Sequence, residues 1–171
     1  MAEAYGFANR CLTEITAEML KDDDLCKFVY YTQELGDSTE FLEKSKPLAK
    51  DIVNKNIFIG RRVPEILHKS GAYICSRVVN YAPIVKSSEV MKVVEIEVMI
   101  IVHEDCMKTP YGVRDVCIVT ALERALNDKK ISGVGKCIVT SVTDINGLPI
   151  EYSGYFVYVE VQGFPTLRVG R

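Results

Sequence analysis

His103-Glu104-Asp105-Cys106 crowds a histidine, two carboxylates and a thiol into four consecutive positions. Such a group has the chemistry for a thiol nucleophile with a general base, or for metal ligation. Its spacing argues against both. Neighbouring strand residues point to opposite faces, so His103 and Glu104 do not converge on one ion without an unusual bend. A polar strand end leading into a loop is the expected structure, and a small thiol enzyme using Cys106 with His103 stands as an alternative. His68 is isolated and reads as a surface loop residue.

Two further motifs fail on spacing. Gly133-Val134-Gly135-Lys136-Cys137 resembles part of a phosphate loop, but the upstream glycine is missing, Cys137 stands in place of Ser or Thr, and a strand pattern follows. Asp22-Asp23-Asp24 lacks the alternating ligands of a calcium loop and is expected to cap a helix. The six cysteines (Cys11, Cys26, Cys75, Cys106, Cys117 and Cys137) contain no C-x-x-C pair and sit mostly in apolar segments, so reduced, buried thiols are expected. No catalytic residue, cofactor site or metal site follows from these patterns. Arg61, Arg62, Arg168 and Arg171 are local positive spots, candidates for contact with a partner or with DNA phosphates.

The 171 residues suit one domain. Hydrophobic residues make up 48% and charged residues 26%, enough apolar side chain for a folded core. With 21 basic against 23 acidic residues the formal charge is −2, which excludes a dominant basic surface, though a nucleic-acid-binding module acting through a local patch remains an alternative. No secretory signal or membrane span is visible, so a soluble protein made in the cytoplasm, with no membrane partner, is expected.

Positioning these residues requires a particular order of elements. Helices are expected from about Cys11 to Leu20 and from Asp22–Asp24 to about Gln33, the second carrying Leu25, Phe28, Val29 and Thr32 on one stripe. Gly36 to Lys46 reads as a polar connection, Pro47 to Asn54 as a helical turn, and Ile57 to Pro64 as extended chain. Strands follow at Tyr73 to Tyr81 and, after a break at Pro83 and a polar turn from Lys86 to Glu89, at Val90 to His103. On the latter, Val94, Ile96, Val98, Ile100 and Val102 share one face, while the other is polar at its middle and apolar toward Met99 and Ile101. Thr109 to Asp128 is expected as the main helix, capped by Thr109, packed through Val113, Val116, Cys117, Ala121 and Leu122, and terminated by Asn127 and Asp128. Val134 to Ile145 and Ile150 to Gln162 should be strands joined at Asn146-Gly147. The expected fold is α+β: a mainly antiparallel four-stranded sheet with the principal helix on one face, plus N-terminal helices. Residues 1–54 form the helical part of the domain, 73–162 the sheet and main helix, and 163–171 an irregular tail. Such a sheet leaves edge strands and one face available, which hints at self-association.

Three segments together resemble the tail terminator, or tail-completion, proteins of tailed bacteriophages. Leu25-Cys26-Lys27-Phe28-Val29-Tyr30-Tyr31 is similar to their "KLLYY"-type helix, although leucines are more usual at positions 26 and 29. Asp51 to Phe58 with Arg62-Val63-Pro64 resembles their "LINKRIYP…P" stretch, departing from it at Ile59-Gly60. The long strand ending Ile101-Val102-His103-Glu104, followed by Tyr111-Gly112-Val113-Arg114 and a helix, resembles the way that family's sheet runs into its main helix. The resemblance covers about Leu25 to Val161. It implies a virion protein of the tail or neck, assembled in the host cytoplasm into a homo-oligomeric ring, usually a hexamer. That ring would cap the tail tube protein, stop its polymerisation and face the head-completion or connector proteins, with sheath protein a further partner and DNA passing through the lumen unrecognised. A connector protein on the portal side is the companion alternative.

Overall fold

The computed structural model describes residues 2–32, 38–60, 69–83 and 92–163. Helix α1 (Ala2–Met19) starts well before the expected boundary, and its inner stripe is Phe7, Cys11, Ile15 and Met19, each one helical turn from the next and fully buried. Helix α2 (Asp23–Tyr30) is capped as expected, with the Asp22 carboxylate accepting from the Leu25 N–H at 2.9 Å. Leu25, Phe28 and Val29 face the core, while Thr32 lies beyond the helix end.

The polar connection is partly helical. Short helix α3 (Ser38–Glu43) forms there because Phe41 has somewhere to go: it is buried and stacks on Phe28 with ring centroids 4.6 Å apart. The turn after Pro47 is α4 (Ala49–Ile52), and strand β1 (Ile57–Ile59) carries the first part of the extended segment. The expectations for Pro64, His68 and the Lys86 to Glu89 turn fall outside the described residues.

The remaining strands are β2 (Ala72–Pro83), β3 (Lys92–His103), β4 (Lys108–Thr109), β5 (Gly112–Val113), β6 (Lys130–Ile131), β7 (Gly135–Asp144) and β8 (Tyr152–Gly163). The principal sheet has six strands in the order β1-β2-β3-β8-β7-β6, not four, and it is mixed, because β1 runs parallel to β2 while the other pairs are antiparallel. Two additions account for the correction: β1 and β6 are only three and two residues long, too short for alternation to be visible in the sequence.

The main helix, α5 (Arg114–Leu126), also begins later than expected. Thr109 spends its hydroxyl on a turn, accepting from the Tyr111 N–H at 3.2 Å and donating to the Gly112 carbonyl at 2.8 Å. Gly112 has φ +121, a conformation open to glycine, and the chain folds back as the β4–β5 hairpin before helix geometry starts. The buried face is accordingly Ile118, Ala121, Leu122, Ala125 and Leu126, with Val113 and Val116 half exposed rather than packed. Asn127 ends the helix as expected, and Asp128 follows in the left-handed region at φ 59.

Helices α1, α2 and α5 share one sheet face. Their apolar stripes pack on Ile74, Val94, Ile96, Val98, Ile100, Val102, Val157, Val159 and Val161 in the main core. On the opposite face a smaller cluster joins Phe58, Tyr73, Cys75, Met99 and Ile101, packed by Ile145, Leu148, Tyr152 and Phe156. Those last residues belong to β8 and to the β7–β8 connection, which turns at Gly147 (φ +86) but runs on through Glu151 before β8 begins. Ile150, expected in the strand, is 94% exposed.

Candidate interaction surfaces

The His103–Cys106 segment is a structural turn. The His103 ring Nδ1 accepts the Asp105 backbone N–H at 3.2 Å, capping a 3-10 turn over Glu104–Cys106, and the ring meets Tyr152 edge-on with centroids 4.9 Å apart. Cys106 is only 4% exposed, and its Sγ lies 3.4 Å from the Ser70 Oγ, which also donates to the Asp105 carboxylate at 3.4 Å. The ring nitrogen facing Asp105 is therefore engaged in capping and the thiol is turned inward. Among the described residues no cluster of three or more metal-capable side chains forms.

Directly beneath this turn lies a charged group that the sequence patterns did not single out. Arg114, the first residue of α5, is fully buried. Its Nε donates to the Cys106 carbonyl, its Nη1 donates to the Phe28 carbonyl at 2.7 Å, and its Nη2 has no partner. Burial pulls its pKa down from the usual arginine value, partly offset by the nearby Cys106 and Cys117 thiols. The guanidinium thus ties the end of α2 and the 3-10 turn to the start of α5. Its neighbour Asp115, also buried, accepts from the Val116 N–H at 2.7 Å and from the Ser153 hydroxyl at 2.6 Å, joining the same helix end to β8.

The aspartate run caps and clamps. Besides capping α2, Asp22 receives two bonds from Arg124 of α5 at 2.7 and 2.9 Å, Arg124 reaches Asp24 at 2.9 Å, and Asp23 pairs with Lys46 at 2.7 Å. Burial alone would raise the Asp22 pKa, but the Arg124 guanidinium and the Leu25 N–H together hold it below the usual carboxylate value. The glycine motif is a turn into β7, with Gly133 at φ +74 and Gly135 at φ +135, and the buried Cys137 thiol is pushed up to about 12 by desolvation. None of the six cysteines is in a disulfide, and Cys117 alone is partly exposed.

Arg61, Arg62, Arg168 and Arg171 lie outside the described residues, so their proposed contacts have no geometry. A different arginine occupies the sheet face away from the helices. Arg77 makes a two-point pair with Glu97 at 2.7 and 3.2 Å, and the Tyr158 hydroxyl approaches the same carboxylate at 3.5 Å. This is the polar middle anticipated for that face of β3. Beyond it, Glu95 stands directly opposite Glu160 across the β3–β8 pair.

On the helical side, a groove of about 400 Å³ opens between α2, α3, the β4–β5 hairpin and α5. Phe28, Phe41 and Tyr111 form an aromatic set at its base, Leu42, Tyr111 and Val116 are exposed along it, and Asp24 with Arg124 stands at one end. Periodicity could not foresee it, because it depends on α3 and on the late start of α5.

Compared with known proteins, the sequence matches no individual curated protein. A protein-family model, YomW, matches residues 22–161, from the α2 cap through β8, nearly the segment over which the tail-protein resemblance runs. That is well over half of the 171 residues, and the family's name is of the phage-associated kind. The chain therefore belongs to the YomW family.

Proposed function

We propose that the protein is a virion structural component that caps the head-proximal end of a phage tail tube as a homo-oligomeric ring, and that it is not a catalyst. The observation that carries this reading is the one-sided layering of the fold. The described helices that join a core cluster all pack on one sheet face, while the other face keeps a polar middle and the short edge strands β1 and β6 pair with only part of the long strands β2 and β7. A molecule layered in this way has a β surface left for neighbours of its own kind. Membership of a phage-associated family supports the same direction. The ring would stop tube polymerisation by shape and charge complementarity and offer its far surface to head-connector proteins.

The test is assembly. Purified protein mixed with tail tubes should give closed rings or capped tubes in negative-stain images, with tube length held fixed as protein is added. Monomers that leave tube growth unchanged would overturn the reading, and cross-links to the portal side instead of the tube protein would reassign it to the head connector.

A further inference from the structure

Among the described residues the principal sheet has two open edge stretches, on opposite sides and at opposite ends. On one side β1 pairs with β2 only from Ile74 to Ser76, so that among the described residues no strand pairs with the outer edge of β2 from Arg77 to Pro83. On the other side β6 pairs with β7 only at Gly135 and Lys136. The next outward N–H groups are satisfied locally, Cys137 by the Lys129 carbonyl and Val139 by the Asn127 side chain. From Thr140 to Asp144 no strand pairs with the outer edge of β7 among the described residues.

The placement is diagonal. Val78, Ile96, Val159 and Val139 form one row across the four long strands, and both outer strands bulge beside it, β2 at Val79 and β7 at Thr140. Most of the open stretch of β2 lies on one side of this row and the open stretch of β7 on the other. The centres of the two stretches are about four rows apart, ~13 Å at ~3.3 Å per residue, across four strands spanning ~19 Å. The strands alternate in direction, so β2 of one copy and β7 of a copy rotated about an axis roughly along the strands meet antiparallel.

We propose that the β7 edge of one copy, Thr140–Asp144, pairs with the β2 edge of the next, Arg77–Pro83, joining copies of this chain head to tail into one continuous antiparallel wall. The inference rests on the ring reading and names the surfaces that close the ring. A four-row stagger over four strands tilts the strands by about 35°, at the lower end of the range that closed barrels adopt, whereas level edges would leave them untilted. Edge composition agrees: Thr140-Ser141-Val142-Thr143-Asp144 contains neither the lysine nor the proline that usually guards an exposed edge, and Val79 is 40% exposed on the facing edge. Head-to-tail pairing uses both edges, while a two-fold pair would leave one open.

The experiment uses the full chain and two edge variants. Ile145 donates inward to the Gly154 carbonyl at 3.0 Å, so the Asp144 N–H faces outward, and Asp144→Pro removes an edge donor without breaking the bond to β8. Val79→Lys places a guard on the β2 edge. Light scattering should show rings for the parent and for the groove control Leu42→Lys, and monomers with parent-like circular dichroism for both edge variants. Hydrogen exchange over 140–145 should be at least about tenfold slower in the parent rings than in Val79→Lys, a change made only on the opposite edge. Rings that persist in both variants, or equal exchange over 140–145, would overturn the pairing and leave the tail-cap reading standing, whereas parent assemblies that stop at two-fold dimers would overturn both. A parent chain that stays monomeric even with tail tubes would overturn the tail-cap reading itself.

Discussion

Arg114 and the cysteines show how buried groups in this protein serve structure. The Arg114 guanidinium has no carboxylate partner among the described residues and is held by two main-chain carbonyls from different elements. Arg114→Ala would leave both carbonyls unpaired and open a cavity, so a loss of about 3 kcal/mol is expected in denaturant titration. Arg114→Met should lose less, since it fills the volume and removes a buried charge. Equal losses for the two variants would show that packing plays no part. The thiols differ in reach. Desolvation raises Cys11 and Cys137 to about 12 and Cys26 to about 11, which keeps the reactive thiolate scarce, while Cys117 is partly exposed beside the groove. A limiting thiol reagent added to native protein should label Cys117 first, as read by peptide mass mapping; earlier labelling of Cys11 or Cys137 would contradict this burial.

At the level of elements, the junction of α2 and α5 depends on Asp22, which caps one helix and binds Arg124 of the other. Its folded-state pKa lies below the usual carboxylate value, so its charge contributes stability above the unfolded-state pKa and the contribution is lost as pH falls through the folded value. Asn caps nearly as well as Asp, so Asp22→Asn isolates the charge. The variant should melt below the parent at pH 7, with the difference disappearing in strong acid; a constant difference across pH would place the effect elsewhere. Because Arg124 is more than half exposed, the difference at pH 7 is expected to be small. Strand β8 has a stricter requirement. A Cβ on Gly154 would sit 2.1 Å from the Ile100 carbonyl oxygen, a main-chain atom that cannot move aside without disturbing the β3–β8 ladder. Gly154→Ala should therefore cost about 2 kcal/mol or more in denaturant titration, although alanine normally stabilises a strand relative to glycine.

For the molecule as a whole, α1 stands outside the family match yet inside the core. Phe7, Ile15 and Met19 are fully buried against the sheet, and Phe7 packs on Tyr81 with ring centroids 6.4 Å apart. Exposing these three alone would forfeit roughly 5 to 9 kcal/mol at about 1.5 to 3 each, comparable to the total stability of an ordinary domain. A chain starting at residue 22 should aggregate or bind a hydrophobic dye, and a soluble, cooperatively melting product would disprove the dependence. The same scale decides association. One face is committed to helices, leaving sheet edges and a polar β surface as the places where a neighbour can add hydrogen bonds without reopening the core.

Local chemistry and strict periodicity made much of this legible. The Asp22 cap, the two-faced pattern of β3 and the stop at Asn127 each depend on a few adjacent residues, and each was readable in the sequence alone. The motif His103-Glu104-Asp105-Cys106 could likewise be read as a turn, because adjacent strand residues diverge. Tertiary structure decided the rest. Strands of two or three residues have no readable period, so β1 and β6 exist only because long neighbours offer them hydrogen bonds. The late start of α5 was settled when Thr109 and Gly112 closed a hairpin, and burial of Arg114 was settled by the carbonyls of Cys106 and of Phe28, the second 86 positions away and beyond any local pattern. The diagonal placement of the open edges is likewise a property of register across four strands, and register is set by how side chains pack on the core, not by any one strand's sequence.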